Sequence, residues 1–447
     1  MNVDRSIFKA YDIRGIYPDQ LDGSLAYALG RAFVTFLKCD AVVVGRDMRL
    51  GSPDLKENLV RGLCEQGAEV IDIGMVATDQ FYYACATMNQ PGVMVTASHN
   101  PPEYCGFKMV RNMPYLLSGD DGLQDLYCIV TNETYDPLPG TRGQIAEVQV
   151  TQGFVDTVLG LINPEQIKPL KIVADTANGM TGPILQAVYE HLPVELIGLY
   201  LEPDGRAPNH GWDPMQPENR AELESRVKQE RASAGFAFDG DGDRFFVVDD
   251  RGLFVPGDFV AALLAAYMLE RHPGASIIYD VRCSWAVRDC VQARGGKALI
   301  ERVGHSFLKP RLFEEQAVFA GELSGHYYFT EFFGADSGIV PSLMMLEMLS
   351  LKDQTLSELL APLESRYHLS GEINSRVEDT QAKIEELAAR YSDGRVEWID
   401  GISISYDDWH FNVRPSNTEP LLRLNLEALN RDTMEARRDE VLGIIRA

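Results

Sequence analysis

One pattern of alternating strands and helices occurs three times in the chain and constrains the fold more than any other feature. Ser52 and Pro53 are expected to cap its first helix, because serine is a preferred N-cap and proline suits the first helical position. Helical crossovers of this kind join strands that lie parallel in one sheet. The pattern therefore predicts repeated α/β units. In the first copy the strands are at residues 41–44, 70–73 and 93–95, and the second helix covers residues 79–88.

The second and third copies follow the same order of elements. The second has strands at residues 171–174, 194–200 and 236–238 and helices at residues 183–191 and 220–230. The third has strands at residues 277–279, 298–300 and 317–319 and helices at residues 284–294 and 306–315. Similar units predict similar sheets, and units packed around one centre would bring equivalent loops together.

Each unit ends in a polar loop after its third strand. These loops are residues 96–102, 239–244 and 321–326. In the first, Pro101 and Pro102 exclude a helix, so Ser98 and His99 lie on a bend beyond the strand, where open α/β sheets bind ligands. A turn in which Ser98 only satisfies backbone groups is the alternative interpretation of this loop.

The second loop carries Asp239, Asp241 and Asp243, separated by glycines. In an extended backbone the three carboxylates would lie on one side, within reach of one hard cation. An EF-hand calcium loop is the alternative, with Asp250 at its twelfth position. Arg244 stands where that loop needs glycine, and strands flank it, so the pattern favours Mg²⁺ and, with it, phosphoryl chemistry.

The remaining chain, from about residue 365, has a different pattern and predicts a smaller α+β domain. A helix at residues 379–391, strands at 409–413 and 422–426, and a final helix at 432–446 are expected. Between the two strands lies R-P-S-N-T-E-P, residues 414–420, whose arginine, hydroxyls and amide could hold a phosphate. A structural hairpin loop explains the same residues equally well.

Charge and cysteine content limit the partners and the compartment. The 41 basic and 66 acidic residues leave a net charge of −25, which repels nucleic acid and anionic membranes. The 7 cysteines form no C-x-x-C pair, which favours reduced thiols in a cytoplasm without disulfides or zinc. The longest apolar run, residues 259–269 with Asp258 as its expected N-cap, is too short to span a membrane. No protein partner is indicated.

The chain carries five short motifs, Y-D-I-R-G at residues 11–15, T-A-S-H-N-P-P-E-Y-C-G-F-K at 96–108, D-G-D-G-D-R at 239–244, G-E-L-S-G-H at 321–326 and R-P-S-N-T-E-P at 414–420. Together they resemble those of the α-D-phosphohexomutases, specifically the bacterial phosphomannomutase/phosphoglucomutase branch. The resemblance covers the whole chain in order and is very specific. It implies three similar α/β domains and a smaller fourth around a central cleft.

The resemblance implies a role for each matching residue. Ser98 would carry a phosphoryl group and, with Asp239, Asp241 and Asp243, bind Mg²⁺. The transferring group would be stabilised by Arg14, Lys108 and Arg244, with Tyr11 and His99 nearby. Glu322 and Ser324 would bind sugar hydroxyls, with His305 and His326 close to the sugar. The other phosphate would lie against Arg414, Ser416, Asn417 and Thr418.

The implied reaction interconverts the 1- and 6-phosphates of mannose or glucose through phosphoserine and a hexose 1,6-bisphosphate. That bisphosphate would also activate an unphosphorylated enzyme. The chain departs from the family pattern at two positions. Arg282, a candidate substrate-binding residue, stands where lysine is frequent, and arginine does not readily release a proton. Cys105 stands where asparagine is common.

Two other activities use similar parts. A metal-dependent sugar phosphatase would release phosphate to water, but a second phosphate loop at Arg414 favours retention of a bisphosphate. A phosphoglucosamine mutase usually has glycine at the position of Asn417.

The predicted domains are residues 1–145 with the phosphoserine loop, 146–248 with the metal loop, 249–364 for sugar recognition and 365–447 for phosphate binding.

Overall fold

The computed structural model describes residue 1 and residues 3–119, 121–415 and 421–447. In the first unit, strands and helices follow the predicted order. Its elements are β1 (Ile13–Ile16), α1 (Gly23–Leu37), β2 (Ala41–Arg46), α2 (Ser52–Glu65), β3 (Glu69–Met75), α3 (Thr78–Met88), β4 (Gly92–Val95), β5 (Tyr104–Asn112), β6 (Tyr115–Leu116), α4 (Leu123–Asn132) and β7 (Ile145–Glu147).

The second and third units repeat this design. The second contains α5 (Thr151–Leu159), β8 (Leu170–Asp175), α6 (Thr181–Tyr189), β9 (Val194–Leu199), α7 (Ala221–Glu230), β10 (Ala234–Phe238), β11 (Phe245–Val248) and β12 (Phe254–Val255). The third contains α8 (Gly257–Arg271), β13 (Ser276–Asp280), α9 (Trp285–Ala293), β14 (Lys297–Glu301), α10 (His305–Glu314), β15 (Phe319–Gly321), β16 (Tyr327–Phe329), β17 (Ala335–Asp336), α11 (Ile339–Leu351) and α12 (Leu356–Glu364).

The fourth unit is an antiparallel sheet with helices. It contains β18 (His368–Arg376), α13 (Thr380–Arg390), β19 (Arg395–Glu397), β20 (Ile402–Ser405), β21 (Trp409–Pro415), β22 (Leu421–Ala428) and α14 (Arg431–Arg446). Its strand order is β18-β22-β21-β20-β19. Three α/β units with mixed, mostly parallel sheets and one α+β unit agree with the predicted fold class.

The sheet order explains why each polar loop has its place. In the second unit β8 pairs in parallel with both β9 and β10, and β11 returns antiparallel beside β10. The third unit repeats this with β13, β14, β15 and β16, and the first with β2, β3, β4 and β5. Each polar loop therefore joins a parallel strand to an antiparallel return, at the carboxyl edge of its sheet.

The hydrophobic cores do not follow the boundaries of the repeated units. One large core joins side chains of the first three units, including Phe81, Phe154 and Phe332. The fourth unit has its own core, in which Phe411 and Leu424 are fully buried. The first three units thus pack on one another, while the fourth is stabilised by a separate hydrophobic core. No helix in the described part of the chain has the length and apolar character that crossing a membrane requires.

Three local expectations from the sequence were wrong. Helix α2 is capped by Gly51, and the hydroxyl of Ser52 instead contacts Asp47. Helix α8 is capped by Pro256, so Asp258 lies inside the first turn. The third strand of the third unit begins at Phe319 and not at Ala317. Tertiary partners override the local capping preference in the first two cases.

Asp258 gives the fold a pH dependence. It is fully buried, its carboxylate accepts hydrogen bonds from the amides of Phe259 and Ser284, each at 3.0 Å, and burial together with the charge of Glu427 raises its pKa to about 7. A raised acid pKa means that the folded state favours the protonated form. The contribution of this carboxyl group to the stability of the folded protein is therefore complete below the unfolded pKa of about 3.9 and is lost as the pH rises through about 7.

An Asp258→Asn variant removes this titration. We expect the difference in melting temperature, variant minus parent, to be larger at about pH 8 than at about pH 5 by about 2 °C or more. The altered hydrogen bond adds a constant to this difference at both pH values and does not affect the comparison. Differential scanning calorimetry at both pH values measures this change. The exposed Asp407→Asn is the control and should show a constant difference. A constant difference for Asp258→Asn as well would contradict the prediction.

Candidate active site

Ser98 lies on the bend between β4 and β5 and is almost fully buried. Its backbone has a φ of +50°, a conformation that residues other than glycine rarely adopt, and its amide donates to Thr96 Oγ1 at 3.0 Å. The Ser98 hydroxyl donates to Asp239 Oδ2 at 2.9 Å and lies 3.2 Å from His99 Nδ1. The first unit's serine therefore contacts the second unit's aspartate loop directly.

The aspartate loop is a tight turn between β10 and β11, not the extended segment that the sequence suggested. Gly242 has a φ of +82°, which permits the chain to reverse here. The turn still gathers the three carboxylates, because oxygens of Asp239, Asp241 and Asp243 lie within 4.8 Å of one another. Strands flank this loop, which rules out the EF-hand alternative.

Lys108, on β5, crosses to this loop. Its ammonium group donates to Asp241 Oδ2 at 2.8 Å and to Asp243 Oδ2. Burial opposes the charge of Lys108, but Asp241 and Asp243 outweigh it and raise its pKa. Burial and the neighbouring charges of Asp241 and Asp243 raise the pKa of Asp239 well above its usual value. The site thus holds more buried negative charge than its lysine offsets, as a cation site does.

Arg14 approaches from β1, beside the serine loop. Its Nη1 donates to Asn100 Oδ1 and, at 3.3 Å, to the Ala97 carbonyl. Its Nε is paired with Asp12 at 2.7 Å, which orients the guanidinium. Asp12 was not predicted, although it lies two residues before Arg14 in the same motif.

Two histidines border the aspartates. His326 Nε2 lies 3.5 Å from Asp243 Oδ1. The same histidine nitrogen accepts a hydrogen bond from Arg244 Nε at 3.3 Å. Arg244 is also 3.7 Å from Asp239. Burial, with the positive charges of Arg244 and Arg14, holds the pKa of His99 well below its usual value. The His99 imidazole is therefore neutral at pH 7.

Tyr11 connects the first unit with the third. Its hydroxyl donates to the Val303 carbonyl at 2.8 Å, and its ring centroid lies 5.3 Å from that of His305. Burial and the charge of Glu322 raise the pKa of Tyr11 to about 12. Burial and the charge of Lys309 keep the pKa of His305 well below its usual value. Both rings are therefore neutral at pH 7.

The loop between β15 and β16 presents polar groups beside Arg282. Ser324 Oγ donates to Glu322 Oε2 at 3.3 Å, and Arg282 Nη2 reaches the same oxygen at 3.3 Å. Arg282 is also paired with Asp280 at 2.8 Å. Burial opposes its charge, but Asp280 and the other carboxylates raise its pKa above the usual value. A proton-transfer role is therefore excluded for Arg282 at neutral pH.

Arg414, near the end of β21 in the fourth unit, lies close to Arg282 of the third unit, because both approach Glu372. Its Nη2 donates to Glu372 Oε2 at 3.2 Å, and Arg282 Nη1 lies 3.9 Å from that oxygen. Arg423 Nη1 contacts the other Glu372 oxygen at 3.4 Å. The predicted phosphate ligands Ser416, Asn417 and Thr418 lie outside the described residues.

Contacts connect the described candidate residues other than Tyr11 and His305, and the 3.3 Å contact between Ser324 and His326 joins the sugar loop to the aspartates. Tyr11 and His305 contact each other, close enough for the charges of Glu322 and Lys108 to affect their pKa values. Sequence reasoning missed Glu372, Thr78 and Thr96; the two threonine hydroxyls donate to Asp241 Oδ2 at 2.7 and 3.3 Å. Thr96 lies inside a recognised motif and could have been found there. Glu372 lies in a strand without motif signals, and only the packing of the fourth unit places it between Arg282 and Arg414.

Four family models match the chain in succession. They are described as phosphoglucomutase/phosphomannomutase α/β/α domains I, II and III and the C-terminal domain. The matched residues are 5–136 for domain I, 152–252 for domain II, 256–367 for domain III and 372–444 for the C-terminal domain.

Similar proteins match over nearly the full length. A phosphomannomutase of Escherichia coli K12 is 40% identical over 448 residues, covering 98% of each chain. A Xanthomonas campestris protein named as a phosphohexose mutase is 39% identical over 443 residues, covering 98% of this chain and 99% of that one. The crystal structure of a Burkholderia thailandensis protein of the phosphoglucomutase/phosphomannomutase family has a TM-score of 0.91 and 36% identity, covering 99% of this chain and 97% of that chain.

Proposed function

The chain belongs to the phosphoglucomutase/phosphomannomutase family and is a phosphohexomutase, and from this premise we propose that Ser98 carries the phosphoryl group that it transfers. The observation that carries the proposal is the 2.9 Å contact between Ser98 Oγ and Asp239 Oδ2, inside the carboxylate cluster. A sugar phosphate is the substrate. The proposed reaction interconverts hexose 1-phosphate and hexose 6-phosphate, with mannose or glucose as the sugar.

Two transfers in opposite directions complete the reaction. In the first, the bond between phosphorus and Ser98 Oγ breaks while phosphorus bonds to a free hydroxyl oxygen of the bound sugar phosphate, which gives a hexose 1,6-bisphosphate. The bisphosphate turns end for end, and its other phosphoryl group returns to Ser98. In the first transfer the sugar hydroxyl gives up its proton as its oxygen bonds to phosphorus, and the departing Ser98 Oγ takes up a proton and becomes a hydroxyl. In the return transfer the protons move the other way, and His99 Nδ1, 3.2 Å from Ser98 Oγ, is placed to accept the serine proton. The cations of Arg14, Lys108 and Arg244 stabilise the transferring group.

The aspartate loop fits a divalent metal, and we propose Mg²⁺. Its donor set is carboxylate oxygen, and Asp241 Oδ1 is a buried oxygen without a hydrogen-bond partner among the described residues. Asp239, Asp241 and Asp243, with an oxygen of the Ser98 group, would hold the ion. When bound, the ion neutralises charge on the phosphoryl oxygens. A phosphoserine of about −2 charge and a divalent ion offset each other, so the site accepts both.

Different groups would bind the two ends of the substrate. Glu322 and Ser324 would bind the 3- and 4-hydroxyls, which mannose and glucose share. Arg282, His305 and His326 would contact the sugar or its phosphate. Tyr11, whose ring contacts that of His305, would lie near the transferring group. The phosphate that is not reacting would lie against Arg414 with Ser416, Asn417 and Thr418. Both phosphates must fit both subsites for the bisphosphate to turn.

We assign the proposed roles to four domains. Residues 1–145 carry the serine loop, 146–248 the metal loop, 249–364 the sugar-binding loop and 365–447 the phosphate-binding loop. Hexose 1,6-bisphosphate would activate an enzyme that has lost its phosphoryl group, by phosphorylating Ser98. The seven thiols are unpaired, which suits work in a cytoplasm.

Phosphorus NMR tests the proposed function. Incubation with mannose 1-phosphate or glucose 1-phosphate should give the 6-phosphate without stoichiometric free phosphate. Free phosphate as the main product would favour the phosphatase alternative. A higher kcat/KM for glucosamine 1-phosphate than for either other sugar would favour a phosphoglucosamine mutase.

Arg414→Ala should weaken binding of every phosphosugar. The lost guanidinium–phosphate hydrogen bond is expected to raise KM about 10–100-fold, with a smaller effect on kcat. Because the fourth unit has its own core, we expect substrate phosphate to draw it towards the other three units. Small-angle scattering should therefore show the parent becoming more compact when substrate is added, and the variant should show a smaller change. Arg437→Ala, whose guanidinium lies over Trp409 in the fourth unit, is the control. An unchanged KM for Arg414→Ala would contradict the clamp.

A further inference from the structure

Arg49 is a fully buried arginine beneath the serine loop, in the segment between β2 and α2. Its guanidinium donates four hydrogen bonds to backbone carbonyls of that loop. Nη1 donates to Pro101 and Tyr104, both at 2.8 Å, and Nη2 donates to Ser98 at 2.8 Å and Asn100 at 2.6 Å. One side chain therefore binds both sides of the bend that presents the Ser98 hydroxyl.

Asp47 fixes the orientation of this guanidinium. Its Oδ2 lies 3.2 Å from Arg49 Nε, and its Oδ1 accepts from the Arg49 amide at 3.0 Å and from Ser52 Oγ at 2.5 Å. Asp47 is fully buried too. A buried pair of this kind is rigid, because breaking it leaves a charge without compensation in the protein interior.

The opposite contact of Arg49 comes from the second unit. Its guanidinium carbon lies 4.3 Å from the ring centroid of Trp212, which is 1% exposed. The aspartate loop meets the same group, since a Cβ atom at Gly240 would lie 2.6 Å from the Ser98 carbonyl oxygen and 3.0 Å from Trp212 Cγ. Arg49 thus lies where the serine loop, Trp212 and the aspartate loop contact one another.

The conformation of Ser98 requires such support. A φ of +50° at a serine is sparsely populated and persists only where surrounding contacts fix it. Thr96 Oγ1 accepts from the Ser98 amide, and Arg49 binds the Ser98 carbonyl, so the peptide groups on both sides of Cα are held. The hydroxyl is therefore aimed at Asp239 by the backbone.

We propose that Arg49 is a positioning residue that fixes the Ser98 loop against the aspartate loop, and that it keeps the phosphoryl group aligned for transfer to a sugar. This inference rests on the proposed role of Ser98 as the phosphoryl carrier. The planar guanidinium presents its donors in a fixed fork and stacks on an aromatic face. A lysine has three donors on one nitrogen, so it cannot serve four carbonyls on two sides and also stack.

Arg49→Lys tests the proposal because it keeps the charge and loses the fork. A misplacement of about 1 Å at a reacting centre lowers rates about 10²-fold, so we expect a fall in kcat of about that size with KM nearly unchanged. The phosphoenzyme should also lose a larger share of its phosphate to water for each transfer to sugar. This ratio is measured with phosphorus-labelled enzyme and does not depend on the fraction of folded protein.

Arg220→Lys is the matched control. Arg220 also donates to two backbone carbonyls, Pro214 at 3.1 Å and Met215 at 2.7 Å, pairs with Glu224, and lies 3.9 Å over the ring of Phe254. Among the described residues, none of its contacts is with the serine loop, so the kcat and transfer ratio of Arg220→Lys should equal those of the parent. If Arg49→Lys does not fold, Trp212→Leu leaves the four Arg49 hydrogen bonds in place, removes the stacking contact together with part of the apolar packing around Trp212, and should lower kcat about fivefold at constant KM.

The outcomes separate this inference from the proposed function. If the parent enzyme carries phosphate on Ser98 but Arg49→Lys, or Trp212→Leu in its place, keeps the parental kcat and transfer ratio, Arg49 has no positioning role. If the parent never carries phosphate on Ser98, the proposed carrier is wrong and the inference falls with it. A lower kcat together with more loss to water, absent in Arg220→Lys, supports the inference.

Discussion

Replacement of Ser98 by alanine is expected to lower kcat by about 10⁴-fold or more while leaving phosphosugar affinity nearly unchanged. The serine hydroxyl is the group that donates to Asp239 inside the carboxylate cluster, at 2.9 Å. Without it the proposed carrier has no oxygen to which the phosphoryl group can bond. The groups proposed to bind substrate, Glu322 and Arg414 among them, keep their own partners, Tyr328 and Glu372.

Isotope exchange and mass spectrometry measure this effect. Exchange between sugar 1- and 6-phosphates gives the rate, calorimetry with the substrate gives the affinity, and intact mass gives the phosphate content before and after incubation with hexose 1,6-bisphosphate. The control is Ser342→Ala, a fully buried serine that donates to the Ile339 carbonyl in α11. Turnover of Ser98→Ala within about tenfold of the parent would contradict the covalent route.

Asp241→Asn should have the second largest effect. One Asp241 oxygen already accepts from Lys108, Thr78 and Thr96, while the other is buried without a partner among the described residues. The substitution removes one of three charges facing a cation and leaves Lys108 with Asp243 alone. We expect kcat/KM to fall about 10²-fold or more and the Mg²⁺ concentration for half-maximal activity to rise.

Metal titration followed by activity and by thermal shift checks the two parts of this prediction separately. Asp249→Asn is the control, because Asp249 is fully buried directly after β11, the strand that follows the aspartate loop, but accepts from the amides of Arg251 and Leu253. It should lower stability without changing the metal dependence. If Asp241→Asn binds Mg²⁺ as the parent does and reacts at the same rate, the aspartates are not the metal ligands.

Much of the fold was predictable because the repeated pattern is written in local signals. Alternating apolar strands and helix starts located the five predicted elements of each α/β unit within a few residues, and the loop after each third strand followed from them. Other elements, such as α1, β5 and α11, were not predicted. The errors arose where distant partners compete with local preferences. Ser52 and Asp258 resemble helix caps, but the first binds Asp47 and the second binds the Ser284 amide.

The candidate site was predictable as a set of residues but not as a geometry. The carboxylates meet because Gly242 permits a turn, whereas alternation in an extended strand was expected. Asp12, Glu372 and Arg49 were not identified, although they hold Arg14, Arg414 and the serine loop. Their functions depend on what they touch, and side chains of these types have many structural uses.

By itself the sequence determined the order of the repeated strands and helices, the family and the loops proposed to carry the chemistry. These depend on periodicity, turn residues and short motifs between covalent neighbours. Only the tertiary structure decided which loops meet. Ser98 and Asp239 are 141 residues apart and in contact at 2.9 Å because the first two units share a core. Such a contact depends on how whole sheets pack, and the free energy of that packing is spread over many buried side chains rather than recorded in any one motif.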